Sequence, residues 1–119
     1  MTNYAQEVAQ ILNDNRPVDS KFTKNNHVIY NNFSVENGRK YDKVMLTTTI
    51  YYNDEYCGEY EYIELFVEKS NGNIFKPNGD HPAKNIRYNV STKEGKEEFT
   101  KNCINPGYLY KNKGYTTVK

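Results

Sequence analysis

Apolar residues recur at helical spacing near the start of the chain, with Tyr4, Val8, Ile11 and Leu12 on one side and polar residues between them. The pattern predicts an amphipathic helix from Asn3 to Asn13. Asn3 and Gln6 have the form of a capping pair at its start. Asn13-Asp14-Asn15-Arg16-Pro17 ends it, because the residue before a proline avoids the helical region. The period then changes to two. His27 to Phe33 reads as a first strand, and Asn37-Gly38 supplies a turn. In a second strand, from Tyr41 to Tyr52, Val44, Leu46, Thr48, Ile50 and Tyr52 share one face, and Lys43, Met45, Thr47, Thr49 and Tyr51 share the other. Asn53-Asp54-Glu55 and Gly58 read as the connection to a third strand, from Glu59 to Lys69. There Ile63, Leu65 and Val67 point one way and Tyr60, Tyr62, Glu64, Phe66 and Glu68 the other, in a register fixed by burial of the aliphatic face.

Ser70-Asn71-Gly72-Asn73 is a hairpin signal. It leads to a short strand, Ile74-Phe75-Lys76, stopped by Pro77. Beyond it the periodicity fades. Asn78 to Pro82 reads as a loop and Ile86 to Val90 as a short extended piece. Ser91-Thr92-Lys93-Glu94 has capping-box form ahead of a short helix to about Lys101, which Gly95 weakens by ~1 kcal/mol relative to alanine. Asn105-Pro106-Gly107 is a further turn. The expected fold is a single α+β domain over residues 1–119. An N-terminal helix packs on a three- to four-stranded antiparallel sheet through Ile63, Leu65 and Val67, and an irregular C-terminal segment contains a short helix.

Composition sharpens this picture in three ways. Hydrophobic residues make up 36% of the 119 and the mean hydropathy is −0.97, so the core is thin and the surface polar. No apolar run approaches 18 residues, the length a membrane span requires. The first residues lack the basic-then-apolar pattern of a signal peptide, so a cytoplasmic location is expected. Cys57 and Cys103 are then expected as free thiols. The net charge is only +1. Its distribution is uneven: residues 1–68 hold 6 Lys/Arg against 11 Asp/Glu, and residues 69–119 hold 10 against 4. Such a chain either presents an acidic and a basic surface or interleaves its halves so that they cancel.

His27 and His81 stand in no context that suggests a hydrolytic triad. The carboxylates from Asp54 to Glu68 read as a charged, exposed sheet face rather than a metal site. No metal, cofactor or catalytic group is expected, and an enzyme is the least favoured class. The informative stretch runs from Phe75 to Tyr88, where Lys76, Lys84, Arg87 and Tyr88 interleave cations with an aromatic ring. Lysine and arginine neutralise phosphates and aromatic rings stack on bases, so this loop, stiffened by Pro77 and Pro82, is the first candidate for binding nucleic acid or a nucleotide. The alternative is a protein partner docked on an exposed aromatic sheet face carrying Tyr60, Tyr62 and Phe66.

One stretch also resembles a known group. Phe66-Val67-Glu68-Lys69-Ser70-Asn71-Gly72-Asn73-Ile74-Phe75-Lys76, followed by Pro82-Ala83-Lys84-Asn85-Ile86-Arg87-Tyr88-Asn89, is similar to a segment of small phage-encoded proteins of unassigned role. Asp80 and His81 stand in the stretch where that group has a tryptophan, and Asn85 stands where glycine is usual. The resemblance implies origin more than activity. It makes a host protein the partner in the second reading and the bacterial host cytoplasm the location.

Overall fold

The computed structural model describes residues 3–18, 27–105 and 107–110. Helix α1 spans Tyr4–Asn15, and the Asn3 side chain caps it by accepting from the Gln6 backbone N–H at 3.0 Å. Strands β1 (His27–Glu36), β2 (Tyr41–Tyr52) and β3 (Glu55–Glu68) follow as a meander. After them come β4 (Asn73–Phe75), a ribbon of β5 (Pro77–Asn78) and β6 (His81–Pro82), β7 (Tyr88–Asn89), and helix α2 (Lys93–Asn102). The architecture is α+β. Among the described residues the main sheet has five antiparallel strands in the order β1-β2-β3-β4-β7, more than the three or four expected. The addition is β7, a two-residue strand that pairs with β4 through Asn73–Asn89 and Ile74–Tyr88.

Register decides which residues face α1. Val35, Phe33, Asn31 and Ile29 on β1 oppose Val44, Leu46, Thr48 and Ile50 on β2. On β3, Val67 and Leu65 oppose Asp42 and Val44, and then a bulge intervenes, so that Ile63 opposes Met45 and Tyr62 opposes Leu46. The extra residue is Glu64. A bulge places two residues against one and reverses the alternation beyond it. Leu65 and Val67 therefore share the helix face with Tyr62 and Tyr60, while Ile63 and Phe66 lie on the back. This corrects the expected grouping of Ile63, Leu65 and Val67. A second register shift between Ile50 and Tyr51 leaves Cys57 as the extra residue, and Gly58, expected in the connection, lies within β3. The β2–β3 turn is tighter than expected: Asn53 and Asp54 both adopt positive φ, 51° and 69°, as a two-residue primed turn requires.

The core lies between α1 and the helix face. It contains Val8 and Leu12 of α1, Phe33, Val44, Leu46, Leu65, Val67, Ile74, Tyr88, Val90 and Phe99, with Leu109 closing it. Asn13 joins α1 to β1 by a reciprocal pair, donating to the Phe33 carbonyl and accepting from the Phe33 N–H at 2.8 Å each. Thr92 caps α2 by accepting from Gly95 N–H. Gly95 is more than a tolerated weakness, because a Cβ there would overlap the Asn89 carbonyl. The charged halves interleave: Lys69 pairs with the buried Asp42 at 3.2 Å, and Lys96 pairs with Glu7 at 3.2 Å. No helix among the described residues is long and apolar enough to cross a membrane. Cys57 is exposed, Cys103 is buried, and both are free.

Candidate functional site

A helix rises about 1.5 Å per residue and a strand about 3.3 Å. The 12 residues of α1 therefore span roughly 18 Å and the 12 of β2 roughly 40 Å. One helix cannot cover the whole sheet face. Beyond its last turn the face stays open as a groove of about 420 Å³. Ile29, Leu46 and Ile50 give it an apolar floor, with Asn31 and Thr48 among them, and Tyr60 and Tyr62 form one wall. The two tyrosines are 60% and 51% exposed. Thr48 Oγ1 lies 3.4 Å from Asn31 Oδ1 and 3.5 Å from the Tyr62 hydroxyl, so the polar groups of the floor and wall are linked.

Arg16 and Glu64 lie at the end of the groove nearest α1. The bulge turns Glu64 to this side. Its Oε2 accepts from Arg16 Nη1 at 3.0 Å and from the Tyr108 hydroxyl at 2.7 Å. The guanidinium lies over the Phe33 ring at 5.2 Å and the Tyr108 ring at 5.7 Å, and Arg16 O accepts from Asn31 Nδ2. Burial works against the charge on Arg16, but Glu64, together with Tyr108 and Cys103, outweighs it and holds the pKa above its usual value. Burial also pushes up the Cys103 thiol, partly offset by Arg16, which fits a structural rather than a reactive cysteine.

Burial, reinforced by the neighbouring Glu64 charge, holds the Tyr108 hydroxyl well above the usual tyrosine range. In the unfolded chain it ionises near pH 10, whereas the fold retains its proton. Its contribution to stability is complete below about pH 10 and is lost as the pH rises toward the folded value. Urea midpoints measured from about pH 8 to about pH 11 should therefore fall less steeply for Tyr108→Phe than for the parent chain above about pH 10. Parallel profiles would show that Tyr108 does not drive this loss.

The four residues of the basic loop do not form one exposed cluster. Tyr88 is 5% exposed, its hydroxyl donates to the Tyr108 carbonyl at 2.9 Å, and its ring meets Phe99 at 5.3 Å. It is a core residue with no face left for a base. Arg87 is also buried, and its N–H donates to the Ile74 carbonyl. Lys84 is exposed, and Lys76 places its ammonium 4.8 Å from the Tyr110 ring. The phage-like stretch thus supplies scaffold: the β3–β4 turn, β4 and β7. Residues 111–119 of the basic half, with Pro106, lie outside the described residues.

The aromatic-face residues separate as well. Tyr60 and Tyr62 are presented together, whereas Phe66 is 2% exposed on the back of the sheet, with Tyr41 edge-on to it and to Phe75. At the other end of the sheet, by the β2–β3 turn, Tyr30, Tyr51 and Tyr56 lie on the back face in edge-on contacts at 5.8 and 6.0 Å. The sequence reading places Glu64 only among the strand carboxylates and misses its cluster with Arg16 and Tyr108, since the three are 48 and 44 residues apart along the chain and meet only through the bulge. Among the described residues no group of three His, Cys, Asp or Glu side chains is placed to hold a metal. No curated protein and no solved structure matches the chain. A family of unknown function, DUF7717, matches residues 1–111, and the chain belongs to that family.

Proposed function

We propose that this is a binding protein whose tyrosine-lined groove docks a basic segment of another protein. The observation that carries this reading is the pairing of exposed Tyr60 and Tyr62 with the charge of their strand. From Glu55 to Glu68, β3 holds five glutamates and no lysine or arginine. Tyrosine gives a large, stiff contact area and is enriched at protein interfaces. Glu59 and Glu61, which alternate with the two tyrosines along the strand on its other face, favour a cationic partner here and repel phosphates. The nucleic-acid reading retains the exposed Lys84 and the half-buried Lys76, but Tyr88 and Arg87 are withdrawn from it by burial. The phage resemblance makes a host protein in the bacterial cytoplasm the natural source of the segment.

Fluorescence anisotropy with a labelled lysine-rich peptide and a labelled single-stranded oligonucleotide separates the two readings. The peptide should bind more tightly than the oligonucleotide. The double variant Tyr60→Ala, Tyr62→Ala should weaken peptide binding by roughly tenfold or more, while Lys76→Ala, Lys84→Ala leaves it unchanged. Tighter binding of the oligonucleotide, lost in the lysine variant, would replace the protein-docking reading with the nucleic-acid one.

A further inference from the structure

We infer that the outer edge of β3, from Gly58 to Ile63, is a strand-addition site for an extended segment bearing lysine or arginine at alternate positions. This rests on the reading of the tyrosine groove as a docking surface, and it names how the partner is held.

The edge is open for a topological reason. Strand β4 is three residues long and pairs only with Phe66 and Val67. Among the described residues, the rest of β3 pairs with β2 alone. The β5–β6 ribbon follows β4 and, because β4 runs antiparallel to β3, packs against β3 on the Ile63 side of Phe66, so the open part of the edge is the stretch beyond it toward Gly58. The opposite outer strand is treated differently. The β1 edge is sealed at Phe33 by Asn13, at Asn31 by the Pro17 carbonyl, and at Tyr30 by a bridge to Val18. An unpaired edge presents a row of N–H and C=O groups ready to pair with another chain.

The stretch suited to pairing is bounded by the two bulges. Between Cys57 and Glu64, the six residues Gly58–Ile63 run in unbroken register with β2. They span roughly 20 Å and contain no proline. Gly58 has nothing within 4 Å of where a Cβ would stand, and its φ is not positive, so the fold itself does not require glycine. A glycine inside a strand often marks a place where another backbone approaches closely.

Alternation then selects the occupant. Tyr60 and Tyr62 face the groove, while Glu59 and Glu61 face the back. A strand laid along this edge places alternate side chains beside the two tyrosines and the others beside the two glutamates. Cationic residues fit the second set and apolar ones the first. A second copy of this chain is disfavoured, because two β3 edges would set glutamate against glutamate.

The test uses the full chain, isotopically labelled, and two capped hexapeptides, one alternating lysine with valine and one alternating lysine with proline. The second carries the same charge but cannot complete a strand ladder. Amide hydrogen exchange is followed by NMR. With the lysine–valine peptide at saturation, outward-facing amides within Gly58–Ile63 should slow by tenfold or more, and the Tyr60 and Tyr62 ring signals should shift. The double variant Glu59→Lys, Glu61→Lys, changed only at exposed positions, should weaken that peptide by at least tenfold. Equal affinity for the two peptides, with shifts at Tyr60, Tyr62 and Arg16 and no slowing of the edge amides, would overturn strand addition and leave the groove reading standing. Failure of both peptides to bind at millimolar concentration would overturn both. Edge protection that rises with protein concentration in the absence of peptide would assign the edge to a second copy and overturn the inference.

Discussion

Replacing Phe99 with alanine is expected to destabilise the protein by about 3–5 kcal/mol, the usual cost of emptying a buried aromatic site. Helix α2 reads Lys-Glu-Gly-Lys-Glu-Glu-Phe-Thr-Lys-Asn, so Phe99 is its single large apolar side chain. The ring is fully buried, edge-on to Tyr88 at 5.3 Å and to Tyr108 at 5.9 Å. Without it α2 has no apolar hold on the sheet, and an isolated helix of 10 residues is not stable in water. Strand β7 is two residues long and depends on the same packing. Phe99→Leu keeps most of the volume and should cost less than about 1.5 kcal/mol. Urea unfolding of the three proteins provides the comparison. A loss under about 1 kcal/mol for the alanine variant, well below the usual range, would show that α2 is not an integral part of the core.

Phe99 also marks where the sequence stops being readable. Helix α1 was legible because four apolar residues repeat at helical spacing and Asn3 supplies a cap. Strand β2 was legible to its ends because its run of β-branched and aromatic residues favours a strand, and burial alternates along it as far as Thr48. β7 was less so, because two residues carry no periodic signal and the strand exists only through pairing with β4. On β3 the pattern misleads: Ile63, Leu65 and Val67 alternate, yet a single extra residue at Glu64 sends Ile63 to the back. Nothing in the local sequence announces that bulge, since it is set by how β3 must pair with β2. The same event decided the fate of the candidate site. Tyr60 and Tyr62 were identified as a possible contact surface and are exposed, but Phe66 lies beyond the bulge, on the other face and covered. Tyr88 had the composition of a stacking residue and the position of a core one. Its neighbours Phe99 and Tyr108 are close only in space. Charge shows the same limit. The acidic first half and basic second half partly neutralise each other through Lys69–Asp42 and Lys96–Glu7.

Glu64 ties the stability of the fold to the chemistry of the groove, and variants at its cluster should separate the two. Glu64→Ala removes the acceptor of two hydrogen bonds, from Arg16 and Tyr108, and leaves a partly buried guanidinium without its counter-charge. Both groups retain some solvent contact, so the cost should fall between that of an exposed ion pair and that of a buried one, about 2–3 kcal/mol. Arg16→Ala should cost a comparable amount, part of it from lost packing over Phe33 and Tyr108. The double variant should lose less than the sum of the two by about 1 kcal/mol or more, because neither single change leaves the other partner satisfied. Single losses that add to within about 0.5 kcal/mol would show that the pair is not coupled. Binding should respond with opposite signs. Removing Glu64 leaves a net positive charge at the end of the groove and should weaken a lysine-rich peptide several-fold, whereas removing Arg16 leaves a net negative charge and should strengthen it. A shared destabilisation acts on both variants in the same direction. Opposite shifts in peptide affinity, measured where both variants remain folded, would therefore report the electrostatics of the groove itself, and shifts of the same sign would remove the Arg16–Glu64 pair from recognition.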